Sequence, residues 1–415
     1  MEVRSKSAYE HASYLSKLKA TGTIVLTDLD GTMTTGVENP SDLELEDRLK
    51  VRRLLDCRGV VAGAVTARTV SLTLSSREYQ ESETLHTVEF APRWGVDKTT
   101  GKRISIPLEE VPFFNWCLDW DLTASFGSVI AIKNDNGYMV DMPYYQLLKY
   151  DYDRSTNSKG VIDREPWRHA MSEFTKYELA DFVQYESRLE RAVNYRGGLT
   201  DSAPLHFRFQ YNFVGSEGLK VMMRLKEVID TARQNSNADR YDVALRIKTV
   251  DESKPDLNDP EKSRYTLYLI PWGARKEKMI NHLFSQSVAA AGLEAKETRL
   301  FYAGDTLTDL RAGLYAGGEA KLTFLLATGS RLAPYILGKK AKFGDEDLSF
   351  LWSNLNHEEG PHEFESRLVA TNEKGVYKFV HKVRGTNANT VIIGDERYPK
   401  MTPPGSVHAF LQEYL

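Results

Sequence analysis

TIVLTDLDGT, residues Thr23 to Thr32, decides how the rest of this chain is read. Thr23 to Thr27 is β-branched and apolar, with Gly22 before it and Gly31 after, which predicts a short buried strand. Asp28 and Asp30 stand where that strand would leave its sheet. Residues i and i+2 of an extended segment point the same way, so both carboxylates can face one pocket. In open α/β sheets, ligands bind beyond the carboxyl ends of the strands. Two like charges there cost free energy unless a cation or a shared proton compensates. The pair therefore points to a divalent metal, to proton transfer, or to both.

Working outward, LELEDRLKVRRLLDCRG predicts a helix that stops at Gly59, and GVVAGAVTAR (Gly59 to Arg68) a second buried strand. From about Thr69 to Tyr268 the pattern changes to a mixture. SVIAIKNDNGYMVDM reads as two strands around a turn at Asp135-Asn136-Gly137, GLKVMMRLKEVIDTARQ as a helix and YDVALRIKTV as a strand. The α/β pattern then returns. LYLIPWGARKEKMINHLFSQSVAAAG and RLFYAGDTLTDLRAGLYAG each read as a strand running into a helix, and KLTFLLATGSRLAPYIL adds one more of each. Residues 342–389 are polar and read as a loop-rich excursion. TVIIGDERYP and SVHAFLQEYL supply a last strand and helix. The expected fold is α/β: a doubly wound parallel sheet formed by residues 1–72 and 265–415, with an α+β domain, residues 73–264, inserted.

A length of 415 residues favours two domains. The net charge of −4 leaves no electrostatic footprint for nucleic acid or an anionic membrane, so neither is expected as a partner. Two cysteines, Cys57 and Cys117, cannot make a disulfide framework, which fits a reducing compartment. MEVRSKSAYEHASYLSKLKA has no apolar core of a secretory signal, and no run approaches the roughly 18 apolar residues that span a bilayer. The expectation is a cytoplasmic protein.

Four elements stand in order at strand ends or helix starts: Asp28-Leu29-Asp30-Gly31-Thr32, Thr66-Ala67-Arg68, Lys276, and Gly304-Asp305-Thr306-Leu307-Thr308-Asp309. A phosphate ester needs a nucleophile, an acid for its leaving oxygen, donors and cations for the phosphoryl oxygens. The set supplies each part. In this order it resembles the haloacid dehalogenase superfamily of phosphohydrolases, over the α/β half of the chain. An insertion between the second and third motifs resembles the large-cap class, and LIPWGARKEKMINHL is similar to the third-motif region of sucrose-phosphate phosphatases and related sugar phosphatases. The resemblance implies that Asp28 attacks phosphorus to form an aspartyl-phosphate, and that Asp30 protonates the leaving alkoxide and then activates water. It implies Mg²⁺ on Asp28, the Asp30 backbone carbonyl and Asp305. Asp309 would steady the metal site or Lys276, Thr66 and Lys276 would bind phosphate, and Arg68 is a possible substrate contact. The substrate implied is a small phosphate ester, a sugar phosphate or glycoside phosphate.

Two positions depart from that pattern. Ala67 stands where related sugar phosphatases usually have Gly, and Thr308 where they often have Asn. Neither change removes a required charge. Phosphoryl transfer between sugar hydroxyls uses the same two aspartates, and a catalytically silent sugar- or protein-binding module would keep the fold without the reaction. Both stay open as alternatives. The aromatic groups Phe113, Phe114, Trp116, Trp120 and Tyr144, Tyr145, Tyr150, Tyr152 read as core before they read as sugar platforms. His357, His362, Glu358 and Glu359 lack metal-ligand spacing and read as a solvated loop. Asp395 follows a strand and is either a rim residue or part of a turn.

Overall fold

The computed structural model describes residues 7–34, 41–66, 79–81, 86–88, 94–96, 103–105, 120–125, 129–134, 137–154, 207–214, 224, 227, 241–249, 263–271, 275–330, 332–337, 366–381 and 385–415. Strand β1 (Thr23–Thr27) is buried along its whole length, as its composition demands. It pairs in parallel with β2 (Val61–Thr66) on one side and β13 (Arg299–Gly304) on the other. The register sets Thr27 opposite both Ala64 and Ala303, so the three strands end nearly level.

The main sheet runs through twelve strands. Their order is β15 (Ser366–Ala370), β16 (Val376–His381), β17 (Gly385–Ile393), β14 (Leu322–Leu326), β13, β1, β2, β7 (Leu122–Ser125), β8 (Val129–Asn134), β9 (Gly137–Val140), β4 (His86–Val88) and β3 (Tyr79–Glu81). From β17 to β7 neighbouring strands are parallel; beyond them on both sides the pairing is antiparallel. The α/β expectation therefore holds for the centre of the sheet. Strands β5 (Trp94–Val96) and β6 (Arg103–Ser105) pair with each other.

One face of the sheet packs on two helices. Val25, Phe301, Leu325 and Ile392 meet Val51 and Leu55 of the helix Asp42–Arg58, and Val407, Phe410 and Leu411 of the helix Pro403–Tyr414. Each such fully buried side chain contributes about 1.5–3 kcal/mol. The alternating residues of the same strands face the other way. There the Tyr302 and Phe324 rings lie 5.5 Å apart, and the helix Leu307–Tyr315 lies against Phe324. The helix Asp42–Arg58 begins where the Ser41 side chain accepts from the Glu44 backbone, a cap worth about 1 kcal/mol, and it stops at Gly59. Trp120, Tyr144 and Tyr145 are buried, in keeping with a core role. Phe113, Phe114 and Trp116 lie outside the described residues, as do His357, His362, Glu358 and Glu359.

The chain forms two compact units. The first comprises Met1–Tyr145, Lys276–Ala333 and His362–Leu415; the second comprises Gln146–Arg275 and Pro334–Pro361. Strands β7 to β9 thus extend the main sheet, although the sequence places residues 73–145 in the insertion. The reason is that β2 offers an open parallel edge, and Gly63 to Thr66 pair with Leu122 to Ser125. Within the second unit, β12 (Ser263–Pro271) lies between β10 (Phe207–Val214) and β11 (Tyr241–Thr249) in a separate antiparallel sheet. The LYLIP run is therefore a strand, as expected, but not one of the main sheet. Residues 366–381, read from sequence as part of a loop-rich excursion, form the β15–β16 hairpin. Among the described residues, no helix is long and apolar enough to cross a membrane.

Candidate active site

The level ends of β1, β2 and β13 bring sequence-distant residues together. The Asp28 backbone N–H donates to the Ala303 carbonyl at 2.7 Å, so the chain stays in the sheet through Asp28. It then turns sharply. The Leu29 carbonyl accepts from Met33 at 2.8 Å and from Thr34 at 3.0 Å, while the Gly31 N–H donates to the Thr34 carbonyl at 2.6 Å. Gly31 has φ +84°, and a Cβ there would fall 2.1 Å from Asp305 Oδ2. Gly31→Ala is thus opposed twice, by the left-handed backbone and by the Asp305 carboxylate. It is expected to lose about 1–2 kcal/mol in urea unfolding, and an unchanged midpoint would contradict this placement.

Past β13 the chain enters the helix Leu307–Tyr315, with Asp309 in its first turn. Asp309 is fully buried and accepts on both oxygens. Its Oδ2 takes the Thr306 N–H at 3.0 Å, the Thr306 hydroxyl at 2.5 Å and the Asp305 N–H at 3.3 Å. Its Oδ1 takes the Lys276 ammonium at 2.5 Å and the Tyr302 hydroxyl. A Cβ on Gly304 would sit 2.3 Å from Asp309 Cβ, so only glycine admits this side chain beneath the strand end. Lys276 opens its own helix and also reaches Asp28 Oδ1 at 3.2 Å and the Val65 carbonyl at 3.4 Å. The structure thereby gathers Asp28, Lys276, Asp305 and Asp309, with Thr66 buried at the end of the adjoining β2. Asp30 is half-buried, and its backbone bridges to Thr34. Arg68 and Ala67 lie outside the described residues.

The charges explain each other. Burial, then the negative Asp309, push the Asp28 carboxyl well above the ordinary carboxylate range, with Asp305 and Asp30 adding to the push and Lys276 opposing it. At Asp309 burial acts in the same upward sense. There the Lys276 charge and the hydrogen bonds from Lys276, Thr306 and Tyr302 outweigh it and hold the carboxyl below its usual value. Burial disfavours the Lys276 ammonium, yet the Asp28 and Asp309 carboxylates hold it protonated far above neutral pH.

Asp28, Asp305 and Asp309 each offer a carboxylate oxygen, all within 4.8 Å of one another. Both Asp309 oxygens are committed to hydrogen bonds, which makes Asp28 and Asp305 the better donors to a cation. An all-oxygen donor set beside a carboxyl that resists ionisation suits a hard divalent ion such as Mg²⁺.

Two contributors escape the sequence motifs. Tyr302 reads as strand core, and only the register shows its hydroxyl on Asp309. Ser330 donates to the Asp305 carbonyl at 2.5 Å from the loop after β14, where a hydroxyl following a strand was the one available signal. Asp395 is neither a turn nor shown at the rim: it stands in the short helix Gly394–Arg397, where its Oδ1 accepts the Gly329 N–H at 3.1 Å and so braces that same loop.

No protein-family model matches the chain, and no curated protein matches it in sequence. Solved structures resemble it in backbone. A haloacid dehalogenase-like hydrolase of Bacillus subtilis is 14% identical with a TM-score of 0.32, covering 77% of this chain and 91% of that one. Trehalose-6-phosphate phosphatase of Aspergillus fumigatus is 14% identical with a TM-score of 0.34, covering 84% of this chain and 99% of its own. A truncated IMP-nucleotidase of Plasmodium falciparum is 9% identical with a TM-score of 0.27, covering 71% and 63%. All three likenesses are loose, and the case for the site rests on its own side chains.

Proposed function

We propose that this chain is a Mg²⁺-dependent phosphatase of the haloacid dehalogenase type, acting on a small phosphorylated metabolite such as a sugar phosphate or glycoside phosphate. One observation carries the reading: Lys276 joins Asp28 to Asp309 beside Asp305, at the level ends of three parallel strands. Asp28 Oδ attacks phosphorus, the ester P–O bond breaks, and Asp30 gives its proton to the departing alkoxide. Asp30 then takes a proton from water, whose oxygen attacks the aspartyl-phosphate, frees inorganic phosphate and restores Asp28. Lys276 and the Thr66 hydroxyl hold the phosphoryl oxygens, and Asp309 fixes Lys276 where Asp28 can be approached. Bound Mg²⁺, held by Asp28, Asp305 and the Asp30 carbonyl, would supply the positive charge that keeps Asp28 ionised and screens the phosphoryl group. In this reading the second unit, to which Gln146–Arg275 belong, acts as a cap that selects the substrate, and Arg68 serves as a substrate contact. The two cysteines, of which Cys57 is an exposed free thiol, fit a cytoplasmic setting.

The test is phosphate release from a panel of sugar, glycoside, nucleotide and aryl phosphates, with Mg²⁺ and with EDTA. Release is expected with Mg²⁺ and a drop of at least about a hundredfold on chelation. Silence across the panel from a folded, Mg²⁺-binding protein would overturn the phosphatase reading in favour of a binding module.

A further inference from the structure

The turn that carries Asp30 is braced from behind by a buried charge. Arg48 is 1% exposed, Glu44 2% and Thr34 2%. Arg48 Nη2 donates to the Thr34 hydroxyl oxygen at 2.8 Å and pairs with the Glu44 carboxylate one turn earlier on the same helix. Thr34 in turn closes the catalytic turn with its backbone. Its N–H donates to the Leu29 carbonyl, its carbonyl accepts from Gly31, and it bridges to Asp30 itself. A guanidinium anchored in the core is thus one residue away from the proposed acid–base group.

Stability does not account for this arrangement. A buried ion pair adds little over well-packed apolar side chains of similar volume. What a guanidinium whose Nη2 joins the Glu44 carboxylate to the Thr34 hydroxyl does supply is a fixed anchor point for Thr34. We propose that Arg48, acting through Thr34, is a positioning residue that sets where the Asp30 carboxyl meets the leaving oxygen. The proposal rests on the phosphatase reading above and adds to it the device that aims the acid.

Misaiming an acid harms only those esters that need one. An alkyl phosphate leaves as a basic alkoxide and requires the Asp30 proton, whereas p-nitrophenolate leaves without it. The experiment is single-turnover cleavage of an alkyl phosphate substrate and of p-nitrophenyl phosphate by wild type, Arg48→Met and Thr34→Val. In both variants the alkyl ester is expected to slow roughly ten- to a hundredfold, with the p-nitrophenol burst changed less than about threefold. Thr34→Ser, which keeps the accepting oxygen, is expected to bring the ratio of the two rates back toward wild type. Thr34→Val is nearly isosteric and serves should Arg48→Met fail to fold. Equal slowing of both esters, or no slowing of either, in folded variants of an active protein overturns the proposal alone. A folded, Mg²⁺-binding wild type that releases phosphate from no member of the ester panel overturns the phosphatase reading and this proposal with it.

Discussion

Asp28→Asn is expected to abolish phosphate release, by on the order of 10⁴-fold or more, while making the metal-free protein more stable. The first effect follows from loss of the nucleophile, because an amide cannot form the acyl phosphate. The second follows from the electrostatics around the site. In the unfolded chain this carboxyl titrates near ~4, whereas burial and the negative Asp309 raise it well above that range in the folded protein. A carboxyl raised on folding leaves full stability only below its unfolded pKa, and stability falls as pH rises from there through the folded pKa. At neutral pH the substitution removes that loss. Thermal unfolding in EDTA should therefore shift upward by about 2 °C or more. Added Mg²⁺ should stabilise wild type and do little for the variant. An Asp28→Asn protein that turns over phosphate esters at the wild-type rate removes Asp28 from the mechanism. A lowered unfolding temperature in EDTA contradicts the charge analysis separately.

Lys276→Met is expected to cost most in stability. Its ammonium lies against two buried carboxylates, and its removal leaves Asp28 and Asp309 facing each other without a cation. Breaking a buried ion pair from one side costs about 3–5 kcal/mol, far more than the pair itself contributes. Urea unfolding without Mg²⁺ should show a loss of that order, and phosphate release should fall with it. The Lys276→Met/Asp309→Asn double variant should lose less than the sum of the two single variants, because each removes the other's burden. Strict additivity would mean that Lys276 and Asp309 are not coupled, and the proposed anchoring of Lys276 would fall.

Asp28 and Asp305 were legible because each follows a strand, and strand ends of a parallel sheet converge on one side. Lys276 and Asp309 were singled out instead by the resemblance to the haloacid dehalogenase motifs, the strand before Lys276 belonging to another sheet. Thr66 was legible by place, though its type alone says little. Sheet membership was harder to read. Leu122–Ser125 has the composition of any buried strand, and nothing local announces that its partner is β2. The same limit hid that β12 pairs with β10 and β11. The β15–β16 hairpin was missed for another reason. It lies at the antiparallel end of the sheet, where Val369 is 39% exposed, so the segment lacks the continuous apolar run that marks the central strands. Tyr302, Ser330 and Arg48 act through hydroxyls and a guanidinium whose targets are set by tertiary register, and their residue types carry no signal for it.

The place of β1 in the middle of the sheet has a consequence for how the protein comes into being. One neighbour, β2, follows soon along the chain, but the other, β13, does not: Thr32, just after β1, meets Asp305 across a sequence separation of 273 residues. At about 5–20 residues per second, a ribosome needs roughly 14 to 55 seconds to make that stretch. Throughout that interval one side of β1 presents unpaired amides and carbonyls flanked by apolar side chains, a template for wrong pairing. Among the described pairs of the main sheet, the strand that carries the proposed nucleophile is thus the one that waits longest for its partner to be made.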